Sequence, residues 1–392
     1  MRRVCVLGST GSIGRQALDV IARSDGRLAV DSLAAGGAVD ALAAQCAAVR
    51  PRAVALERAA DPDAARRRLA AAAPGARIDV GPGAAARLAA DPGADIVLNG
   101  VVGAAGLEPS LAALARGARL ALANKETLVV GGALVRAALA AGGGELLPVD
   151  SEHSAALQCL GGRPPHEVRT LVITASGGAL RDHPDWRRAT RAEVLAHPVW
   201  PMGERITVDS ALMFNKGLEL IEAHALFALD WDQLDAVLQP SALVHALVTF
   251  VDGSTVVQAA RPDMALPIQL ALSWPERWPG GIAPLAPVDL AGLAVRPIPR
   301  ERYPVFATAI AAGRAGGTAP CVLNAADEIA VQAFLDGAIA LGDVPDVIDA
   351  VVGAHAPEAV ESVAQLREVD ARARDAARAA VVARAARAGG RA

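Results

Sequence analysis

The sequence predicts an α/β protein with an N-terminal Rossmann-like parallel sheet, an α+β second domain with a mixed sheet, and a small all-α C-terminal domain. Between residues 1 and 150, short β-like runs alternate with Ala- and Leu-rich helical runs, which is typical of crossover units around a parallel sheet. Between about 150 and 275, Asp252-Gly253 separates the β-like runs Val244–Val251 and Ser254–Ala260 and predicts an antiparallel hairpin. Beyond residue 305 only helical runs follow.

The composition agrees with two or three domains. The 392 residues are 53% hydrophobic but only 3% aromatic, so we expect cores packed mainly from Ala, Leu and Val. The net charge is −4, and no run of Lys or Arg is interleaved with aromatic residues. Because the basic surface of a nucleic-acid-binding protein is missing, we expect no nucleic-acid partner.

The cysteines and the apolar stretches indicate a cytoplasmic protein without a membrane partner. No Cys-x-x-Cys pair occurs, which fits buried thiols in a reducing compartment, at Cys5, Cys46, Cys159 and Cys321. The apolar run 4–7 is too short for a signal peptide. The uncharged stretch 236–251 falls short of the roughly 20 apolar residues that a membrane span needs.

In the first domain, strands and helices are predicted in alternation. The β-like runs are Arg3–Leu7, Ala29–Ala34, Arg52–Leu56, Ile96–Leu98 and Arg119–Ala123, and the helical runs include Arg15–Arg23 and Val39–Val49.

A glycine-rich turn joins the first strand to the first helix. It reads Gly8-Ser9-Thr10-Gly11-Ser12-Ile13-Gly14. Glycine at every third position lets the chain turn tightly and lets a diphosphate approach backbone N–H groups. As the first strand-to-helix turn of a βαβ chain, this turn predicts a dinucleotide site. The alternative is a Rossmann-like core that binds no nucleotide.

The end of the second strand bears on which dinucleotide binds. An acidic residue there would bind the ribose of NAD, but this chain has Gly36, Gly37 and Ala38. The missing carboxylate favours NADPH, although no arginine stands at that position to meet the 2′-phosphate. Arg58 is a candidate for that contact.

Two acidic residues follow the predicted strand at 146–149. If the extended conformation continued to Glu152, the Asp150 and Glu152 carboxylates would leave on one face. With a third carboxylate they would suit Mg²⁺ or Mn²⁺ rather than zinc. The alternative is a helix N-cap followed by an acidic first turn, which has the same sequence pattern.

Only two lysines, Lys125 and Lys216, occur among the 38 basic residues, and each lies beside an asparagine and upstream of a glutamate. Such isolated ammonium groups suit an anionic, oxygen-rich ligand. The alternative is that the two lysines have no functional role and simply remain in a chain whose composition favours arginine. On a helix, Asn215, Lys216 and Glu219 would share one face. A Lys–Glu pair on a wet surface is the alternative, weakened by the apolar neighbours.

Two further segments carry groups suited to a substrate. Ser176-Gly-Gly follows the predicted strand 170–174, where a hydroxyl and backbone donors often hold phosphate. Thr190 and Glu193 predict a capping box that opens a short helix ending before His197. The proline-stiffened loop from His197 to Gly203, with Trp200 and Met202, suits a lid. Ordinary packing is the alternative for a lone histidine or tryptophan.

Taken together, the motifs resemble the 1-deoxy-D-xylulose 5-phosphate reductoisomerase family, NADPH-dependent enzymes of the non-mevalonate isoprenoid route. In chain order the matching segments are 8–14, Ala-Leu-Ala-Asn-Lys-Glu at 121–126, Pro-Val-Asp-Ser-Glu-His at 148–153, Ser-Gly-Gly at 176–178, His-Pro-x-Trp-x-Met-Gly at 197–203, Val-Asp-Ser-Ala at 208–211, Asn-Lys-Gly-Leu-Glu at 215–219 and Leu-Asn-Ala-Ala at 323–326. They cover nearly the whole chain.

The resemblance implies rearrangement and reduction of 1-deoxy-D-xylulose 5-phosphate, a small phosphorylated ketose, to 2-C-methyl-D-erythritol 4-phosphate by a homodimer. It implies that Mg²⁺ or Mn²⁺ binds to Asp150, Glu152 and Glu219, with Lys125 and His197 as further catalytic residues. The implied substrate-binding residues are Lys125, Ser151, Glu152, Ser176, His197, Trp200, Met202, Ser210, Asn215, Lys216 and Glu219. The implied NADPH-binding residues are the glycine-rich turn, Asn124, Glu126 and Gly203. We also expect Gly36, Gly37 and Ala38, at the end of the second strand, to bind NADPH.

The predicted domains are an NADPH-binding domain at 1–149 and a catalytic, metal- and substrate-binding domain at 150–273, with a flap at 194–204. A proline-rich linker at 274–304 leads to a helical C-terminal domain at 305–392, whose Ala/Arg tail is more simply a solvated helix face than a partner site.

Several positions depart from the family pattern, including Gly37-Ala38 and Ala179-Leu180. Two other functions stay open at this point. One is a simple NAD(P)-dependent dehydrogenase of a phosphorylated aldehyde, and the other is a non-catalytic dinucleotide sensor, with which Gly37-Ala38 is consistent.

Overall fold

The computed structural model describes residues 1–199 and 202–389, and the chain divides into two compact units. Unit 1 consists of Met1–Thr127, Leu134–Ser154 and Asp263–Ala283. Unit 2 consists of Leu128–Ala133, Ala155–Pro262 and Pro284–Ala392.

Unit 1 contains a parallel sheet of seven strands. They are β1 (Arg2–Leu7), β2 (Leu28–Ala35), β3 (Ala53–Leu56), β4 (Arg77–Val80), β5 (Ile96–Asn99), β6 (Arg119–Leu122) and β7 (Glu145–Pro148). Their order is β4-β3-β2-β1-β5-β6-β7, and every neighbouring pair is parallel. The predicted Rossmann-like sheet is confirmed. Strand β4 was not predicted, because only Val80 of its four residues is buried and no apolar run marks it.

Unit 2 contains a mixed sheet of five strands. They are β8 (Val168–Ala175), β9 (Leu234–Leu238), β10 (Val244–Phe250), β11 (Thr255–Ala259) and β12 (Arg296–Pro297), in the order β11-β10-β8-β9-β12. Strands β8 and β9 are parallel, whereas the other pairs are antiparallel. The predicted hairpin is confirmed, and Gly253 has the positive φ of 88° that its tight turn needs.

The structure contains fifteen α-helices among the described residues, and those of the first 150 residues alternate with strands as predicted. They are α1 (Ser12–Ala22), α2 (Val39–Val49), α3 (Pro62–Ala72), α4 (Ala84–Ala89), α5 (Leu107–Ala115), α6 (Glu126–Gly142), α7 (Ser151–Leu160), α8 (Arg191–Leu195), α9 (Glu204–Ala211), α10 (Phe214–Phe227), α11 (Ala265–Ser273), α12 (Pro304–Ala315), α13 (Ala319–Leu335), α14 (Asp343–Gly353) and α15 (Val363–Gly389). The capping box is confirmed, since the Thr190 hydroxyl accepts the Glu193 N–H and the Glu193 carboxylate accepts the Thr190 N–H.

The region 274–304 and the C-terminal part differ in structure. Short 3-10 turns and β12, which pairs with β9, lie within 274–304. After residue 304, the described residues form helices α12–α15 and no strand, as the sequence predicts.

The cores are built mainly from Ala, Val and Leu, as expected from the composition. All four cysteines are free and buried, and burial raises the pKa of the Cys5 and Cys321 thiols to about 12. Among the described residues, no helix combines the length and the apolar character that a membrane crossing requires.

Candidate active site

The glycine-rich turn lies at the point where the strand order of the parallel sheet reverses. Strand β1 has β2 on one side and β5 on the other, and the turn follows the carboxyl end of β1. Ligands of open α/β sheets bind at such points. Gly8 has a φ of +73°, and a Cβ on it would lie 2.6 Å from the Gly100 carbonyl oxygen after β5. Only glycine fits this close approach.

The same turn leaves backbone donors for an anion. Helix α1 begins at Ser12, and its N-cap residue Gly11 supplies no side-chain acceptor for the first N–H groups. A Cβ on Gly14 would overlap the Ser9 backbone, so the helix starts directly against the turn. Gln45 holds the turn through two bonds to Ser9, each 2.8 Å long. This arrangement fits a dinucleotide diphosphate.

Asn124 and Glu126 lie after β6, but their side chains bind the neighbouring loop. The Asn124 amide donates to the carbonyl oxygens of Val101 and Gly103, each at 2.9 Å, and Glu126 accepts the Gly103 N–H at 3.1 Å. Both side chains are buried. They shape the 101–103 loop, and their predicted contact with NADPH stays a prediction.

Asp150 lies between β7 and α7. Helix α7 begins at Ser151, so the extended conformation does not continue to Glu152. Asp150 Oδ1 accepts the N–H groups of Glu152 at 3.1 Å and His153 at 3.3 Å, and so caps the helix. Its Oδ2 lies 3.2 Å from the Lys125 ammonium nitrogen, in an ion pair whose side chains are about nine-tenths buried.

The helix cap and a metal site are compatible here. One carboxylate oxygen of Asp150 and one of Glu152 lie within 4.8 Å of each other, although the two residues belong to different secondary structures. Ser151 donates to Glu152 Oε2 at 2.9 Å. Two carboxylates at this separation are able to supply oxygen ligands to a hard divalent cation. The capping alternative is therefore confirmed, and the metal site stays a prediction.

The residues Asn215, Lys216 and Glu219 share one face of α10, as predicted. The Asn215 amide donates to Glu219 Oε1, and the Lys216 ammonium pairs with Glu219 Oε2. Lys216 is 5% exposed and Glu219 is 1% exposed, so the alternative of a pair on a wet surface is wrong. Burial of two charges costs folding free energy, and buried charged pairs of this kind are typical of functional sites.

Ser176, His197 and Ser210 meet within unit 2. The His197 Nε2 atom lies 3.2 Å from Ser176 Oγ and 3.3 Å from Ser210 Oγ. Burial lowers the pKa of His197, so its imidazole is mostly neutral at pH 7. Two hydroxyls and an imidazole form a donor set suited to a phosphate group.

Gly178 allows this cluster to form. It has a φ of +65°, and a Cβ on it would lie 2.7 Å from the Ala211 Cα. The loop after β8 therefore packs directly on the end of α9, which carries Ser210. A side chain at this position would separate the two serines.

Helix α9 is anchored to α13 by Arg205. The guanidinium lies 3.0 Å from Glu328 Oε1, 3.3 Å from Asp327 Oδ2 and 3.3 Å from Asn324 Oδ1. Burial raises the pKa of Asp327 well above its usual range, and Asp209 raises it further. This cluster was not predicted, since its charges come from distant segments of the chain.

Some predicted flap residues lie outside the described part of the chain. Trp200 and Pro201 belong to this group, so the substrate contact predicted for Trp200 stays a prediction. Met202 is half-buried, and Gly203 is exposed and directly precedes α9.

Family models match most of the chain. The model described as 1-deoxy-D-xylulose 5-phosphate reductoisomerase matches residues 4–132, and two models of its C-terminal domains match residues 146–227 and 260–376.

Relatives of the same name match over nearly their full length. The protein of Leifsonia xyli subsp. xyli is 45% identical over 379 residues, which cover 96% of this chain and 98% of the relative. The protein of Mycobacterium avium is 48% identical, covering 94% and 89%.

Solved structures agree with the sequence relatives. A crystal structure of DOX-P reductoisomerase in complex with NADPH, fosmidomycin and magnesium has a TM-score of 0.91 and 34% identity, covering 97% of this chain and 98% of that one. The enzyme from Zymomonas mobilis in complex with NADPH has a TM-score of 0.90 and 35% identity, covering 97% and 99%.

Proposed function

This chain belongs to the 1-deoxy-D-xylulose 5-phosphate reductoisomerase family, and we propose that its site rearranges and reduces that phosphorylated ketose with NADPH and a divalent cation. The product is 2-C-methyl-D-erythritol 4-phosphate, a precursor in non-mevalonate isoprenoid biosynthesis. The observation that carries the proposal is the Asp150–Glu152 pair beside Lys125, at the same edge of the parallel sheet as the glycine-rich turn.

We propose that Asp150, Glu152 and Glu219 bind Mg²⁺ or Mn²⁺. Carboxylate oxygens are the ligands that these hard cations prefer. When bound, the ion supplies positive charge to the carbonyl and hydroxyl oxygens of the ketose. Glu219 is prepared for this role, because Asn215 and Lys216 hold its carboxylate in one orientation.

The remaining residues bind and orient the substrate. Ser176, His197 and Ser210 contribute donors to its phosphate, together with Asn215 and Lys216. Binding energy from this phosphate, remote from the reacting carbons, fixes the position of the short substrate. Lys125 and Ser151 lie beside the carboxylate pair and are placed to donate to the substrate oxygens. Closure of the flap at 194–204, including Trp200, excludes water from the reacting carbons.

The glycine-rich turn is proposed to bind NADPH, which fits the uncapped N–H groups at the start of α1. Its proposed NADPH-binding residues are Gly8, Thr10, Gly11, Ser12, Ile13 and Gly14. The other proposed NADPH-binding residues are Gly36, Gly37, Ala38, Asn124, Glu126 and Gly203. We also propose the domain division predicted from the sequence. It has an NADPH-binding domain at 1–149, a catalytic domain at 150–273, a linker at 274–304 and a helical domain at 305–392.

We further propose a cytoplasmic homodimer. Strand β11 is an edge strand of the mixed sheet, and its Val256 and Val257 are 42% and 48% exposed. An exposed apolar edge strand supports pairing with a second copy. The four free, buried thiols support a reducing compartment.

The experiment is an assay that follows NADPH oxidation with 1-deoxy-D-xylulose 5-phosphate, with and without Mn²⁺, and with NADH as a comparison. We expect turnover that requires the cation. Turnover without any added cation, after chelation, would favour a simple dehydrogenase. Dinucleotide binding without turnover would favour a sensor.

A matched pair of variants tests the site. Glu219→Gln should abolish turnover, whereas Glu145→Gln, at the amino end of β7, should retain it. Unchanged turnover in Glu219→Gln would contradict the assignment.

A further inference from the structure

Arg58 lies at the carboxyl edge of the parallel sheet in unit 1, beside the end of β2. Strands β2 and β3 pair in register up to Ala35 and Leu56. The backbone continues the pairing beyond both strands, since the Arg58 N–H donates to the Gly36 carbonyl oxygen at 2.8 Å. Arg58 is therefore fixed opposite Gly36 although its sequence position is 22 residues away.

The Arg58 side chain lies over the glycines that follow β2. Its Nη2 atom is 3.6 Å from the position that a Cβ on Gly36 would occupy. The Arg58 carbonyl oxygen is 3.5 Å from the position that a Cβ on Gly37 would occupy. Absence of side chains at these two positions thus leaves the space beside the guanidinium open. Arg58 is exposed, and within the described residues its guanidinium makes no hydrogen bond or ion pair.

The carboxylates near these strand ends are already engaged elsewhere. Glu57 accepts the N–H groups of Gly83 at 2.9 Å and Ala85 at 2.7 Å, so it is held toward α4. Asp40, in the first turn of α2, pairs with Arg68 at 3.3 Å. An uncompensated guanidinium thus stands at the end of β2, beside two glycines.

We propose that Arg58 binds the 2′-phosphate of NADPH and makes this chain prefer NADPH over NADH. In dinucleotide-binding sheets of this kind, the adenosine ribose lies at the end of the second strand, where an arginine accommodates a 2′-phosphate. The planar guanidinium can donate two parallel hydrogen bonds to phosphate. The inference rests on the proposed use of NADPH and supplies the contact that Gly37 and Ala38 cannot make.

The test measures binding without turnover. Dissociation constants of NADPH and NADH are determined by titration calorimetry for the wild-type protein, Arg58→Gln and Arg58→Lys. Arg3→Gln is the control, because it removes one exposed arginine from the amino end of β1, at the opposite edge of the same sheet. Arg58→Gln should raise the Kd of NADPH by about 10- to 100-fold and leave that of NADH within about twofold.

The conservative variant and the control sharpen the result. Arg58→Lys should recover part of the NADPH affinity, since it keeps the charge but loses the paired donors. Arg3→Gln should bind both dinucleotides as the wild type does. An NADPH affinity in Arg58→Gln within about twofold of the wild type, or equal weakening of NADPH and NADH, would overturn the proposal. A wild-type protein that binds neither dinucleotide would instead overturn the proposed function.

Discussion

Replacing Arg205 with methionine should destabilise the helices around it. Arg205 faces three acidic side chains, among which Asp327 is fully buried and Asp209 is 5% exposed. Methionine keeps most of the side-chain volume but removes the positive charge. The repulsion between the Asp209 and Asp327 carboxylates would then no longer be offset by the charge of Arg205.

The size of the effect follows from burial. Removing one partner of a buried ion pair costs about 3–5 kcal/mol. The Arg205 side chain is 23% exposed, and Glu328 keeps a second partner, Arg374, at 2.6 Å. We therefore expect a loss near the lower limit, about 3 kcal/mol.

The loss should depend on pH in a defined direction. Burial, followed by Asp209, raises the folded-state pKa of Asp327, whereas Arg205 lowers it. Without Arg205 the folded-state pKa rises further above the unfolded value of about 3.9. At low pH, Asp327 of the native state then holds a proton that the unfolded chain has released, and this proton uptake stabilises the native state. The stabilisation is lost as the pH rises through the folded-state pKa. The variant should be impaired more at pH 8 than at pH 5.

Hydrogen exchange of the α13 amides measures the local free energy of opening at both pH values. Arg384→Met is the control, because Arg384 pairs with Asp346 at 2.7 Å while both side chains are about one-third exposed. Such a pair contributes about 1 kcal/mol or less. A loss below about 1 kcal/mol for Arg205→Met, or an equal loss at pH 5 and pH 8, would show that Arg205 does not offset these buried carboxylates.

Two further predictions concern the cluster of Ser176, His197 and Ser210. Gly178→Ala should lower the thermal unfolding midpoint and raise the substrate KM, because the added Cβ would press on Ala211. The control is Gly162→Ala, which also has a positive φ, of 83°, but has open space around the added Cβ and should leave KM unchanged. An unchanged KM in Gly178→Ala would show that the close approach is dispensable. For His197, burial lowers the folded-state pKa, so stability should fall as the pH drops from about 6.5 through that pKa, and His197→Gln should remove this dependence. Titration of the His197 ring by NMR at or above the usual value would contradict this.

Local patterns predicted much of the fold. The alternation of strands and helices, the hairpin at Asp252-Gly253 and the capping box at Thr190 each depend on short segments, and the structure confirms them. Strand β4 was missed because it is an edge strand in which only Val80 is buried, so no apolar run marks it.

The candidate site was predictable in its residue types but not in its local geometry. The sequence indicated that Lys216 and Glu219 share a helix face, yet their near-complete burial depends on tertiary packing. It also left two alternatives for Asp150, which caps α7 and still presents an oxygen near Glu152. The support that Gln45 and Gly100 give to the glycine-rich turn is non-local and has no sequence signal.

The most direct test of the account is a titration with Mn²⁺, followed by electron paramagnetic resonance, for the wild-type protein, Asp150→Asn, Glu219→Gln and the control Glu145→Gln. We predict one tightly bound Mn²⁺ per wild-type chain and per control chain. Each of the two site variants should bind it about 100-fold more weakly or worse, since loss of even an outer partner costs 10- to 100-fold. Wild-type affinity for Mn²⁺ in Glu219→Gln would contradict a site that Asp150, Glu152 and Glu219 share.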